Sequence, residues 1–148
     1  MSVIDRATLP TARRLVVKVG SSSISGANAD RISVIVDALA AAHGRGTEVV
    51  LVSSGAIATG MPYLQLDSRP GDLATQQAAA AVGQNVLIYR YQDSLRRFSI
   101  VAGQVLLTAG DLENPVHRSN AQRAMERLLN LRILPIVIEN DTVATHEI

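Results

Sequence analysis

Four short runs of aliphatic, mostly β-branched residues recur along the chain, at 15–19, 48–52, 101–107 and 133–138. Each is too short for a stable helix, so each reads as a strand, the first two as buried ones. Between them the apolar spacing changes to that of helices. Ile32, Ile35, Val36, Leu39 and Ala40 share one helical face, Asn28 or Asp30 can cap that helix, and Gly44 and Gly46 stop it. A short helix follows Ser53-Ser54-Gly55-Ala56 and runs to about Gly60. A loop with two prolines fills 61–70, and an Ala- and Gln-rich helix fills 72–97, with Gly83 a weak spot inside it. A last helix spans 120–130, with Ala121, Met125, Leu128 and Leu129 inward. Strands alternating with helices predict an α/β protein: a three-layer αβα sandwich on a mainly parallel sheet with right-handed crossovers.

Two breakers test this assignment. Gly103 interrupts the third strand, and Pro135 fits the fourth only if its nitrogen faces away from a partner. The first thirteen residues read as a loose leader, and 14–148 as one domain. Aromatic residues make up only 3% of the chain, so the core must be built from Val, Ile, Leu and Ala.

Charge narrows the partners. Fourteen basic and thirteen acidic residues are spread evenly for a net charge of +1, with no basic run, so nucleic acid is not an expected partner. The absence of cysteine removes disulfides, thiolate metal sites and cysteine nucleophiles. His43, His117 and His146 lack metal-ligand spacing, and no metal ligands are assigned. Residues 1–10 hold charges and no apolar segment, so they do not read as a secretory signal. No apolar run approaches the ~20 residues needed to cross a bilayer, and a cytoplasmic protein without a membrane partner is expected.

In an open parallel sheet, ligands bind beyond the carboxyl ends of the strands. Three loops of small and polar residues fall there: Gly20-Ser21-Ser22-Ser23, Ser53-Ser54-Gly55-Ala56 and Glu139-Asn140-Asp141. The first offers backbone amides to an anionic oxygen. Lys18, two residues earlier, faces a phosphate, snorkels to solvent, or pairs with a carboxylate such as Asp141. The second loop opens a helix whose first amides favour an anion; alternatively Ser53 or Ser54 is simply its cap. The third holds a substrate amine or a metal, or is a polar turn. No P-loop, dinucleotide fingerprint or nucleophile elbow occurs.

Taken in order, these loops resemble the amino acid kinase superfamily and, within it, the glutamate 5-kinases. The opening Leu15-Val16-Val17-Lys18-Val19-Gly20-Ser21-Ser22 carries the superfamily likeness, and Val52-Ser53-Ser54-Gly55-Ala56-Ile57-Ala58 narrows it. Asp72-Leu73-Ala74-Thr75, Ala80-Ala81-Val82-Gly83-Gln84, Gly103-Gln104-Val105-Leu106-Leu107-Thr108 and Asn120-Ala121-Gln122-Arg123 fit the same family. Glu139-Asn140-Asp141-Thr142-Val143-Ala144-Thr145 is close to its substrate-loop signature.

The resemblance implies transfer of phosphate from Mg·ATP to the γ-carboxylate of L-glutamate, the first step toward proline. It implies that Lys18 approaches the transferring phosphates, with Gly20 and Ser21 on the nucleotide side. Ser54, Gly55 and Ala56 would grip glutamate, Asp141 would meet its ammonium, and Asn140 would shape that loop. L-proline is implied as a feedback ligand, and a homo-oligomer as the assembly. Two positions depart from the family: Ile138 stands where asparagine is usual, and Gln76 where lysine is common. The family also continues past this point with a Gly-Asp-Asn-Asp loop, adenine and ribose segments, a Gly-Thr-Gly-Gly loop and a second lysine. The chain is therefore expected to represent the amino-terminal, glutamate-binding half, to be inactive alone, and to associate through an open sheet edge.

Overall fold

The computed structural model describes residues 5–143. His146 and the end of the 139–145 motif fall outside them. The sheet has four strands: β1 (Arg14–Val19), β2 (Glu48–Ser53), β3 (Ala102–Leu107) and β4 (Leu134–Glu139). Their order is β1-β2-β4-β3, and every pair is parallel. The helices are α1 (Arg31–Gly44), α2 (Ala56–Gly60), α3 (Leu73–Arg96), α4 (Ala109–Glu113) and α5 (Pro115–Asn130).

The two faces of the sheet carry different helices. Val19, Val49, Leu51, Leu134, Ile136 and Ile138 turn one way and form the main core with α1 and α3. Val50 and Val137 turn the other way, where Leu129 of α5 covers them. Full burial of a side chain such as Leu51 or Ile136 contributes roughly 1.5–3 kcal/mol. The paths β1-α1-β2 and β2-α3-β3 advance across the sheet over one face. The return from β3 to β4 passes over the other through α5. Crossovers of a single hand require that change of face. The architecture is a three-layer α/β sandwich, and β1, expected to be buried, instead alternates, with Val16 exposed.

Pro135 lies in an inner strand. Leu134 N–H donates to the Val101 carbonyl at 2.9 Å, on the β3 side. Alternation turns the proline nitrogen toward β2, where pairing begins only at Leu51–Ile136. The missing donor thus falls just before the ladder.

Several local expectations are corrected. Gly83 is not a weak spot in α3. A Cβ there would overlap the Ala56 carbonyl oxygen, and one on Gly60 would overlap that of Ala79, so α2 and α3 meet backbone to backbone. The last helix begins at Pro115, five residues before 120, with Asn114 Oδ1 accepting from Val116 N–H at 2.9 Å and His117 N–H at 3.2 Å. The separate α4 precedes it, capped reciprocally by Thr108 and Asp111. Within the leader, Arg6–Thr11 forms a 3-10 turn capped by Asp5. Ile138 is 1% exposed within the main core, so its side chain packs under the sheet rather than entering the loop after β4.

Candidate functional site

The carboxyl ends of β1, β2 and β4 bring their loops together. After β1 the chain tightens at once: Ser23 N–H donates to Gly20 O at 3.0 Å and Ile24 N–H to Ser21 O at 3.2 Å. After β2, Ser54 turns back onto β1, its N–H reaching Val19 O at 3.0 Å and its Oγ the same oxygen at 3.4 Å. Gly55 then takes φ +104°, a left-handed conformation natural only to glycine. A Cβ at Gly55 would stand 3.2 Å from Ser21 Cα, so the first two loops are in contact. After β4, Asn140 N–H donates to Leu107 O at 2.8 Å and Asp141 N–H to Glu139 O at 3.0 Å.

These turns border a recess of about 90 Å³ lined by Ser21, Ser54, Gly55, Ile57, Ala58, Arg69, Glu139 and Asp141. Of the residues singled out from sequence, Ser21, Ser54, Gly55 and Asp141 meet there. Ala56 is 2% exposed and does not line the recess. Gly20 precedes the first turn, and Asn140 is tied to β3 beside the recess. Lys18 is exposed near the same rim, in register with Val52 of β2, but outside the lining. A lysine that reaches water this way pays little desolvation.

The cap reading of the second loop is also corrected. The residue preceding α2 is Gly55, and no side chain caps that helix. With α2 only five residues long, the donors here are loop peptides rather than a substantial helix dipole.

Sequence alone does not place Arg69, Ile57 or Ala58 at the site, and Glu139 enters there only as one of the acids of the third loop. Arg69 comes from the proline-containing loop. Gln76 Nε2 holds that loop by donating to Pro70 O at 2.8 Å, which anchors the backbone next to Arg69. The lining thus places one cation among two acids and a hydroxyl-rich turn, a charge pattern suited to a small zwitterion. A far larger trough of about 970 Å³ lies along α1 and α3. Its lining includes Asp30, Tyr89 and Arg97 but none of the loops following strands, so size alone does not mark the site. Among the described residues, no group of three or more His, Asp or Glu side chains is placed to hold a metal. No described helix is long and apolar enough to cross a membrane.

Comparison with known proteins agrees with this architecture. The amino acid kinase family matches residues 13–148. Proteins named glutamate 5-kinase are similar along the whole chain, with 78% identity in Leifsonia xyli subsp. xyli and 76% in Clavibacter sepedonicus. The one from Thermobifida fusca is 57% identical over 97% of the chain. The chain spans 55%, 57% and 38% of these three relatives, respectively. The crystal structure of smu.665 from Streptococcus mutans UA159 shares the fold with a TM-score of 0.54, at 16% identity over 85% of this chain and 58% of that one. With the parallel sheet, the loops at its rim and the match from residue 13 onward in agreement, the chain belongs to the amino acid kinase family.

Proposed function

We propose that this chain forms the glutamate-binding part of a cytoplasmic glutamate 5-kinase, which transfers phosphate from Mg·ATP to the γ-carboxylate of L-glutamate in the first step toward proline. The observation that carries the reading is the recess where Ser54 and Gly55 face Asp141. A turn of small residues suits a carboxylate, and an acid suits an ammonium. In the reaction, a γ-carboxylate oxygen attacks the terminal phosphorus of ATP, the bond to the β-phosphate oxygen breaks, and ADP departs. No protein nucleophile is required, so the protein's work is positioning and charge neutralisation.

Asp141, with Glu139 beside it, would hold the ammonium and Ser54 with Gly55 a carboxylate. Ala56 would support that turn from below, and Asn140 would keep Asp141 in place through its bond to β3. Lys18, near the rim with its charge in solvent, would draw toward the phosphates as the nucleotide binds. Gly20 and Ser21 fit a phosphate on the donor set alone, since they offer a turn of small residues beside that lysine.

Calorimetry of L-glutamate into the 148-residue chain tests the binding half of this reading. Binding is expected, and the absence of heat from folded protein at all concentrations would refute it. Hydroxamate trapping of the acyl phosphate, with ATP supplied, tests turnover.

A second reading is that the chain binds glutamate or the feedback ligand L-proline without turning glutamate over. The position of Lys18 outside the lining of the recess favours this reading. Glutamate binding without hydroxamate would select it. Assembly into a homo-oligomer belongs to either reading. It is supported by β1 and β3, each of which has a side unpaired among the described strands.

A further inference from the structure

Two buried hydroxyls behind the Ser54–Gly55 turn have no part in the function proposed above. Tyr91 of α3 is 0% exposed, and Ser53, at the end of β2, is 1% exposed. Their oxygens lie 3.0 Å apart, and Ser53 Oγ also lies 3.2 Å from the Ser54 carbonyl oxygen. A serine hydroxyl carries one proton, and a carbonyl can only accept. Ser53 therefore donates to Ser54 O, which leaves Tyr91 as the donor to Ser53. Burial raises the Tyr91 pKa above its ordinary value, so its hydroxyl keeps the proton that the relay needs.

The Ser54 carbonyl and the Gly55 N–H belong to one peptide plane. No described peptide bond is cis, so the two groups point in opposite directions. Drawing the carbonyl toward the buried hydroxyls turns the N–H away from them, and Gly55 lines the recess. A peptide next to glycine rotates more readily than most, so something must hold this one.

We propose that Tyr91 is a positioning residue: through Ser53 it fixes the Ser54–Gly55 peptide with its N–H presented to the recess, where it donates to a carboxylate oxygen of the bound amino acid. The inference rests on the glutamate-site reading. A donor aimed before binding spares the reorganisation that a freely rotating peptide would require.

The test uses Tyr91→Phe, which removes one oxygen and keeps the ring, together with Ser53→Ala and the double variant. In NMR spectra of the 148-residue chain, the Ser54 carbonyl carbon and Gly55 amide signals are expected to move in each single variant, while the methyl signals of Leu87 and Leu95 hold still. Calorimetry is expected to give about 5- to 10-fold weaker L-glutamate binding for each single variant, on the scale of one hydrogen bond. The double variant should be no weaker than the singles, because both remove the same relay. Unchanged Ser54 and Gly55 signals, unchanged affinity, or penalties that add would overturn the relay in a chain that binds glutamate. A wild-type chain that binds no glutamate would instead overturn the glutamate site, and with it the role assigned to Gly55. Should Tyr91→Phe not fold, Ser53→Ala alone carries both readouts.

Discussion

The backbone of Gly83 lies directly against the Ala56 carbonyl, leaving no room for a β-carbon where α3 crosses α2. Ala56 in turn follows the Gly55 turn, so this crossing braces one wall of the recess. Gly83→Ala would force the helices apart. Because the clash is with backbone rather than a flexible side chain, the loss should be at least the ~1–3 kcal/mol typical of overpacking. Urea unfolding would measure it. Stability equal to wild type would mean that the crossing is looser than it looks.

Arg14 ties three elements together. Its two terminal nitrogens meet Glu126 of α5 at 2.8 and 3.1 Å, and its Nε meets Glu48 of β2 at 2.8 Å. The Glu126 carboxyl is held below its usual range by hydrogen bonds from that guanidinium. Both side chains remain well exposed, so solvent screens the attraction. Arg14→Met should therefore lower the melting temperature only modestly, and the difference from wild type should shrink as salt is raised. A difference that does not depend on salt would mean that the side chain acts through packing alone.

His43 should impose a mild acid sensitivity. Burial lowers its pKa, the nearby Arg132 charge adds to the effect, and its Nε2 lies 3.1 Å from the Arg132 carbonyl. Below about pH 6.5, the usual histidine value, the unfolded chain binds the proton more readily than the native one. This contribution is thus complete above that pH and is lost as pH falls through the lowered native value. His43→Gln should flatten the melting-temperature profile between pH 7 and 5. If the mutant and wild-type profiles stay parallel there, the histidine does not act in this way.

Asp141→Asn keeps the shape of the recess and removes one negative charge. If the acid meets an ammonium, L-glutamate should bind at least tenfold more weakly, in line with a charge-assisted hydrogen bond of about 1.5–3 kcal/mol. Glutarate, which has both carboxylates but no ammonium, should not lose affinity. An equal loss for both ligands in calorimetry would mean that the substitution disturbs the loop rather than a charge contact.

β2 and β4 were legible because residues buried on both faces leave continuous β-branched runs. β1 and β3 keep exposed positions such as Val16 and Leu106 and were legible from their short apolar runs alone. All four predicted strands fell within a residue or two of the observed ends. The residues closing the recess were legible in part, since a rim loop must directly follow its strand. Elsewhere the deciding contacts are not local in sequence. Gly83 looked like a defect in a helix because nothing nearby in sequence announces that Ala56 will lie across it. Arg69 sits in a loop with no periodic pattern, and only the folded path brings it to Asp141. Ile138 directly precedes the third loop in sequence, but the pleat sends its side chain into the core. The early start of α5, by contrast, is written locally: Asn114-Pro115 is a cap followed by a residue well suited to the first helical position.

The sheet order also has a consequence for how the molecule comes together. β4 is the latest of the four described strands in the chain, yet it occupies an inner place between β2 and β3. During synthesis β1 and β2 can pair early, while β3 has no neighbour until residues 134–139 emerge and slot between them. Assembly of the main core is thus gated by a late, long-range insertion, a kind of step that slows folding. Asp141 arrives two residues after that strand, so the recess is completed only when the sheet itself is.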